Sequence, residues 1–402
     1  MKSDTNIKLV NMGCRLNAFE SEIILEKAKK QGYERLLVIN SCAITAEAER
    51  QLGQQIRKSK KAYPDYQIVV VGCAVDANRQ KYEKMPEVSL VIGNEDKLRD
   101  RILDVKSHGV LGTLPIVENF LNRTRAFVQV QNGCDNACTY CIVPLTRGKS
   151  VSYATDDIIA QIKKLVQKGF KEVVLTGVDI SAYRPSLAKL VRDILVAEPQ
   201  LLRLRLSSLD PNAVDAELLR VFAEEERVMP HVHLSIQAGD DMILKRMLRR
   251  HNRGQVVELC GKIRVSRVDA MIGADFITGF PTETDEMFLN TYNLVKEANI
   301  NFLHVFPYSE RYDTPAAKMP PVPVVVRKER AAVLRRLQDT QLENTLASFI
   351  GRSVEVLVEK DNLGYTANYV STKIVNSGVL PSSIVKVLVK EHDSNSLIGE
   401  II

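Results

Sequence analysis

The chain has 402 residues, a net charge of +6, 45% hydrophobic and 26% charged residues, and seven cysteines. Its length exceeds the roughly 250–300 residues that one hydrophobic core serves, so two or three domains are expected. Cysteines this sparse exclude a disulfide-stapled secreted scaffold. No stretch reaches the ~18 apolar residues of a membrane span, and residues 1–12 hold no apolar run with a cleavage site. The expectation is a soluble, cytoplasmic protein whose mild basicity permits a nucleic-acid partner without requiring one.

In chain order, Ile7 to Val10 reads as a short strand, and Asn17 with Glu20 three residues on reads as a capping-box helix start. Leu36 to Ile39 is a continuous apolar run, the mark of a strand buried on both faces. Thr45 caps a helix running to about Lys61, and Ile68 to Val71 is a third strand. Strand–helix alternation of this kind predicts a parallel α/β sheet over 1–107. Cys14, Cys42 and Cys73 each follow one of these strands, and ligands gather at the carboxyl ends of strands in open parallel sheets. Residues Ser107 to Asn122 read as a linker.

A second series of six strands follows over 123–345: Ala126 to Val130, Glu172 to Leu175, Leu202 to Leu206, Val232 to Ile236, Ala270 to Ile277 and Phe302 to Phe306. Helical patterns lie between them, one expected to be capped by Thr155 and closed at Lys168-Gly169. Six βα units fit a partial (βα)6 barrel, with an open twisted sheet as the alternative. After Pro320, Pro321 and Pro323 comes a basic helix, Arg327 to about Ala347. Residues 346–402 turn to β patterns (Val354 to Val358, Ser383 to Val389, a turn at Asn362-Leu363-Gly364), consistent with a small β-barrel.

The chemistry is concentrated in Gly133-Cys134-Asp-Asn-Ala-Cys138-Thr-Tyr140-Cys141. Three thiolates on one loop can hold three irons of a [4Fe–4S] cube and leave the fourth iron free to bind a substrate. A structural zinc site wants a fourth ligand, and no other Cys or His lies close in sequence. Cys260 has no partner in its helical pattern and reads as a core residue.

That loop, with an aromatic residue before its last cysteine, resembles the radical S-adenosylmethionine (SAM) signature. The whole chain resembles the methylthiotransferase family, through Asn11-Met-Gly-Cys14-Arg-Leu-Asn17, Val38-Ile-Asn-Ser-Cys42, Val71-Gly-Cys73 and Cys141-Ile-Val-Pro-Leu-Thr-Arg147-Gly148. The resemblance implies three parts in order: an N-terminal domain, a radical SAM barrel and a C-terminal TRAM barrel. It implies two [4Fe–4S] clusters, one on Cys134, Cys138 and Cys141 and an auxiliary one on Cys14, Cys42 and Cys73. It also implies SAM as cofactor and radical donor, and a one-electron donor such as a flavodoxin or ferredoxin.

For SAM binding the resemblance points to Tyr140, to Thr176 and Gly177 at a strand end, and to Ser207, Ser208 and Asp210 in a Leu-Ser-Ser-Leu-Asp segment. It points further to Gln237 in His233-Leu-Ser-Ile-Gln-Ala-Gly239, and to Asp275 and Ile277 in Asp275-Phe-Ile-Thr-Gly-Phe-Pro281. Two departures touch this wall. The family's Gly-Tyr-Gly is replaced by Gly177-Val-Asp-Ile-Ser-Ala-Tyr183-Arg-Pro185, and its Gly-Phe-Pro-Gly-Glu by Gly279-Phe-Pro-Thr-Glu283.

Cys14-Arg-Leu-Asn17 is similar to the tRNA branch, whereas the branch acting on a ribosomal-protein aspartate has Pro-Lys-Asn there. Asn40-Ser-Cys42-Ala-Ile-Thr45 resembles enzymes acting on N6-threonylcarbamoyladenosine, where the isopentenyl-adenosine branch has Val-Arg-Glu. The resemblance therefore implies replacement of hydrogen by a methylthio group at C2 of N6-threonylcarbamoyladenosine at tRNA position 37, with isopentenyl-adenosine in tRNA or a ribosomal-protein aspartate as alternatives. A non-catalytic tRNA-binding protein with a structural cluster is the alternative of a different class. Basic runs at Arg57-Lys58-Lys60-Lys61, Lys245-Arg246-Arg249-Arg250-Arg253 and Arg327-Lys328-Arg330 with Arg335-Arg336 are candidate phosphate grips or plain solvated helix faces. Residues 346–402 carry five Lys/Arg against six Asp/Glu, so an RNA role there rests on the resemblance, with Tyr365 and Tyr369 as candidate stacking groups.

Overall fold

The computed structural model describes residues 6–98, 117, 120, 123–375 and 378–402; most of the expected Ser107–Asn122 linker lies outside these. The first unit alternates β1 (Ile7–Asn11), α1 (Arg15–Lys30), β2 (Leu36–Ser41), α2 (Ala46–Ala62) and β3 (Gln67–Gly72), then short α3 (Cys73–Ala77) and α4 (Arg79–Glu83), and ends with β4 (Leu90–Ile92). The strands form one parallel sheet in the order β1-β2-β3-β4. All six residues of β2 are buried, as its unbroken apolar run requires. Thr45 caps α2, its hydroxyl accepting from the Ala48 amide.

Asn17 does not start α1. Cys14 occupies the N-cap position, and Asn17 lies buried inside the first turn. Its side chain donates to Asn40 Oδ1 (3.2 Å) and the Ser41 carbonyl (2.9 Å). The asparagine that looks like a cap is holding the first turn of α1 to the end of β2.

The second unit begins with β5 (Arg125–Gln129) and a small ribbon of β6 (Gln131–Asn132) and β7 (Val151–Ser152), with α5 (Val143–Arg147) between them. It continues as α6 (Thr155–Gln167), β8 (Glu172–Thr176), α7 (Leu187–Ala197), β9 (Arg203–Leu206), α8 (Ala216–Glu224), β10 (His231–Gln237), α9 (Asp241–Arg246), α10 (Arg253–Ser266), β11 (Met271–Thr278), α11 (Asp285–Glu297) and β12 (Phe302–Pro307). The strands make two parallel triplets, β5-β8-β9 and β10-β11-β12, joined by a parallel bridge between Leu209 and Leu234. Six parallel strands in one arc, with helices outside, make a half-open barrel. Leu234, Ile272, Ala274 and Phe276 face the helices and belong to the main core, while the alternate residues line the lumen. Cys260 is buried in α10.

Thr155 does not cap α6. Ala154 holds that position, and the Thr155 hydroxyl lies 3.1 Å from Tyr183 Oη. The stop at Gly169 has the left-handed φ of +93° that favours glycine.

Helix α12 (Val324–Ala347) starts three residues before Arg327 and bridges two cores. Ala331 and Leu334 pack on the barrel core, whereas Leu346 packs with Phe349, Val370, Val389 and Leu397 of the last unit. That unit is a closed barrel in the order β13 (Ser353–Val358), β14 (Leu363–Thr366), β15 (Ser371–Val375), β17 (Leu397–Ile401), β16 (Ile384–His392). The turn before β14 falls at Asp361-Asn362, both at positive φ, and Leu363-Gly364 already belong to the strand. No helix of the described residues is long and apolar enough to cross a membrane.

Candidate active site between two cysteine trios

β1, β2 and β3 are aligned so that Asn11, Asn40 and Val71 are neighbours, at the strand spacing of about 4.8 Å. Cys14, Cys42 and Cys73 follow within three residues of that row, so the three thiols leave the same sheet edge. Gly72, at φ +99°, makes the turn into α3; a Cβ there would meet Asn40 Oδ1 at 2.7 Å. Burial pushes the Cys42 thiol up to about 11, helped by the neighbouring charges of Cys73 and Cys14 and opposed by Arg147. Asn94 Nδ2 donates to Cys73 Sγ (3.4 Å) and to the Thr146 carbonyl (2.7 Å).

The loop carrying Cys134, Cys138 and Cys141 begins just past β5 and β6. Gly133 makes its entry possible: φ is +70°, and an added Cβ would sit 1.9 Å from the Lys149 carbonyl oxygen. Gly133→Ala is therefore expected to displace the loop and to lower iron retained after reconstitution below wild type, measured per chain. Gln131 stitches the loop to the next strand end. Its Nε2 donates to the Gly133 carbonyl (2.6 Å), and its Oε1 accepts from the amides of Val178 (3.1 Å) and Asp179 (2.9 Å). Burial, reinforced by Cys138 and Cys134, pushes the Cys141 thiol up to about 12.

The donor chemistry of both trios fits an iron–sulfur cluster. Apart from exposed Cys14 these thiols are partly buried, and crowded thiols resist becoming three thiolates unless an inorganic core supplies positive charge. Cations already stand beside each trio. Arg249 Nη1 donates to Cys138 Sγ (3.5 Å), and its buried Nε has no partner among the described residues. Arg147 stands beside the N-terminal trio.

Arg147 joins the trios. It is the last residue of α5, six after Cys141. Its Nη1 donates to Glu20 Oε1 (2.8 Å) and Asn132 Oδ1 (3.1 Å), and its Nη2 to Asn17 Oδ1 (2.7 Å) and Glu20 Oε2 (3.1 Å). Asn17 Oδ1 also accepts from Cys14 Sγ (3.5 Å). Lys97 Nζ donates to Glu20 Oε2 (2.6 Å), and Glu20 and Lys97 are both 1% exposed. A cleft of about 430 Å³ lined by Asp76, Ile142, Thr146 and Arg311 runs along this seam.

Burial raises the Glu20 pKa, but Arg147 and Lys97 outweigh it and hold the carboxyl at about 2 against 4.5. A carboxyl lowered in the folded state adds stability above its unfolded pKa and loses it as pH falls toward the folded one. About 3 kcal/mol is therefore expected to drain away between pH 4.5 and 2, and Glu20→Gln to flatten that window in acid-unfolding curves.

The residues expected to meet SAM fall into four groups. Thr176, Gly177, Ser207 and Ser208 lie at or just past the ends of β8 and β9, with Gly177 so close to Gln131 that a Cβ would meet its carbonyl at 2.8 Å. Gln237, at φ +76°, ends β10 after a register shift. Tyr140 and Ile277 pack on one apolar patch with Ala238, Phe280 and Tyr308. The two carboxylates are engaged elsewhere: Asp210 Oδ2 accepts from Arg249 Nη2 (3.2 Å), and Asp275 Oδ1 faces His233 Nε2 (3.0 Å) and His304 Nδ1 (3.3 Å). The His233–Asp275–His304 group and the roles of Arg249, Lys97, Glu20 and Asn94 carry no signal in the sequence. Of the residues that build the seam from the barrel side, Arg147 alone stands in a family motif.

Several expected phosphate grips are structural. Arg249 is tied to Cys138 and Asp210. Buried Arg327 donates to the carbonyls of Val322 (2.6 Å) and Tyr308 (3.1 Å), and buried Arg330 to Glu283 Oε2 (2.7 Å). Guanidinium groups taken out of water need such partners. Arg57, Lys58, Lys61, Lys245, Arg250, Lys328 and Arg336 remain exposed. Tyr365 and Tyr369 are not free stacking faces: their rings stack on each other at 4.9 Å and lie under Arg125 at 4.6 and 5.1 Å.

A half-open six-stranded barrel with a Cys-x3-Cys-x2-Cys loop past its first strand defines the radical SAM class. Residues 128–295 match the Radical SAM superfamily, and residues 6–93 match uncharacterized protein family UPF0004. The chain is 47% identical to the threonylcarbamoyladenosine tRNA methylthiotransferase MtaB of Rickettsia prowazekii over 93% of this chain and 92% of that one. It is 35% identical to the protein of that name in Aquifex aeolicus, over 90% and 95%. It is 31% identical to the tRNA-2-methylthio-N(6)-dimethylallyladenosine synthase of Cereibacter sphaeroides, over 100% and 99%. The fold resembles the radical SAM methyltransferase TsrM of Kitasatospora setae, with a TM-score of 0.54 at 12% identity over 78% and 75% of the two chains. The chain belongs to the radical SAM methylthiotransferase family.

Proposed function

We propose that the chain places a methylthio group on C2 of N6-threonylcarbamoyladenosine at position 37 of a tRNA. The observation that carries this reading is the shared seam: Arg147 ties the loop of Cys134, Cys138 and Cys141 to the sheet edge of Cys14, Cys42 and Cys73. With two [4Fe–4S] clusters and SAM bound, the site would have a 5′-deoxyadenosyl radical on one side and a sulfur to be methylated and delivered on the other, two SAM molecules being consumed.

The residues of the chain position and insulate. Arg249 sets a cation beside Cys138, with Asp210 holding it. Thr176, Gly177, Ser207, Ser208, Gln237, Tyr140 and Ile277 would line SAM, while Asp275 is occupied by His233 and His304. The exposed basic residues would meet tRNA phosphates. A one-electron donor such as a flavodoxin or ferredoxin and a cytoplasmic location complete the proposal.

Thr45, and an identity of 47% to a relative named for threonylcarbamoyladenosine against 31% to one named for dimethylallyladenosine, favour this substrate. Nucleoside analysis of tRNA from cells with and without the gene tests it. The expected result is loss of the methylthio mark on threonylcarbamoyladenosine alone. Loss from isopentenyl-adenosine, or unchanged tRNA with loss of a modified ribosomal aspartate, contradicts it.

A further inference from the structure

Beneath the sulfur trios the barrel lumen contains a second built feature. Tyr365 and Tyr369 of the last unit close its floor, and α1 packs beside its first strand, β5. A cavity of about 200 Å³ remains, lined by Arg15, His233, His304, Phe302, Tyr369 and Ser371 among others. That is far more than the ~15 Å³ a single water needs. Arg15 follows Cys14 directly, so this pocket lies one residue from the N-terminal trio.

The pocket is built for an anion. Among the described residues Arg15 has no carboxylate partner; its guanidinium lies 6.0 Å from the Tyr369 ring. Arg205 and Arg125 lie against the same ring at 4.8 and 5.1 Å. The opposing charges are already matched. Glu172 is held by Arg205 (2.9 Å), Glu359 by Arg125 (3.0 Å), and Asp275 by His233 and His304, whose rings lie 4.7 Å apart. Burial and neighbouring Arg205 hold His231 in its neutral form. The cations also bear on Tyr369: burial raises its phenol, yet Arg125, Arg15 and Arg205 bring it below its usual value. The His233–Asp275–His304 group has donor atoms close enough for a metal ion, but the charge these pairs leave uncompensated is the Arg15 guanidinium, which would repel a divalent cation. A carboxylate would be drawn to that guanidinium.

We infer that the pocket of Arg15, His233 and His304 receives the carboxylate of the amino-acyl substituent on N6 of the target adenine and so discriminates against apolar substituents. This deepens the proposed function and rests on it. An alkyl group in the same place would leave the Arg15 guanidinium desolvated and unpaired, which is how polar sites reject apolar analogues.

The test uses the reconstituted full chain and three anticodon stem-loops, carrying threonylcarbamoyl, its carboxamide analogue or isopentenyl on adenosine 37. Binding is read by fluorescence anisotropy, turnover as KM and kcat. The expected result is a roughly 10- to 100-fold preference for the carboxylate over the carboxamide. Arg15→Ala is expected to collapse that ratio with the loss falling on KM, Arg15→Lys to restore part of it, and His304→Phe to weaken it. Since Arg15 adjoins Cys14, iron per chain is measured for each variant; if Arg15→Ala loses iron, His304→Phe decides the outcome. Equal binding of carboxylate and carboxamide by wild type, or an unchanged ratio in an iron-replete variant, overturns the inference. Turnover without discrimination sinks the inference alone; no turnover of the threonylcarbamoyl stem-loop sinks the proposed function with it.

Discussion

Replacing Arg147 with alanine is expected to lower apoprotein stability by about 3–5 kcal/mol, the cost of leaving one partner of a buried pair behind. Both side chains are almost wholly enclosed, 3% exposed for Arg147 and 1% for Glu20. The fork fills four acceptor positions on Glu20, Asn17 and Asn132, and these residues come from two different units of the fold. Without it, Glu20 keeps Lys97 alone among the described residues, and the Cys14 and Cys141 segments lose their shared anchor. Arg147→Lys restores the charge but not the bidentate geometry, so it should recover only part of the loss. Denaturant melts of the single variants and of Arg147→Ala with Glu20→Gln complete the cycle. A coupling energy near zero would show that the two residues do not act together.

The second large effect concerns the barrel floor. Glu172 is fully buried and accepts from Arg205 Nε (2.9 Å) and Nη2 (3.2 Å), with Arg203 Nη1 at 3.8 Å. Arg205 is among the largest fully buried side chains. Glu172→Gln removes the anion that these guanidinium groups share and should destabilise by about 3–5 kcal/mol. Glu172→Leu combined with Arg205→Met replaces the pair by apolar groups and should recover most of that loss. Thermal melts of the three proteins decide it; a single variant as stable as wild type would mean the floor is held by packing alone.

Much of the architecture was legible because it depends on local patterns. The unbroken apolar runs of β2 and β3, the alternation along β10 and β11, and the proline break before α12 each name an element from a few adjacent residues. The cysteine stations were legible for the same reason, since each follows a strand. What failed were polar letters with two physical uses. Asn17 and Thr155 carry cap chemistry, but one ties α1 to β2 and the other meets a tyrosine that follows the next strand. Arg249, Arg327 and Arg330 look like surface charge in a basic run, and only tertiary burial turns them inward. Tyr365 and Tyr369 look like stacking faces until they stack on each other and on Arg125. The Arg147–Glu20–Lys97 cluster joins positions 77 and 127 residues apart, and the His233–Asp275–His304 group spans three strands, distances over which no local spacing gives a signal.

The most direct test of two separate cluster sites facing one seam is iron and sulfide per chain after anaerobic reconstitution. Wild type is compared with Cys134, Cys138 and Cys141 all changed to alanine, and with Cys14, Cys42 and Cys73 all changed to alanine. The expected result is about eight irons in wild type and about four in each triple variant, given three-thiolate ligation of each cube. About four irons in wild type, unchanged when Cys14, Cys42 and Cys73 are removed, would contradict it.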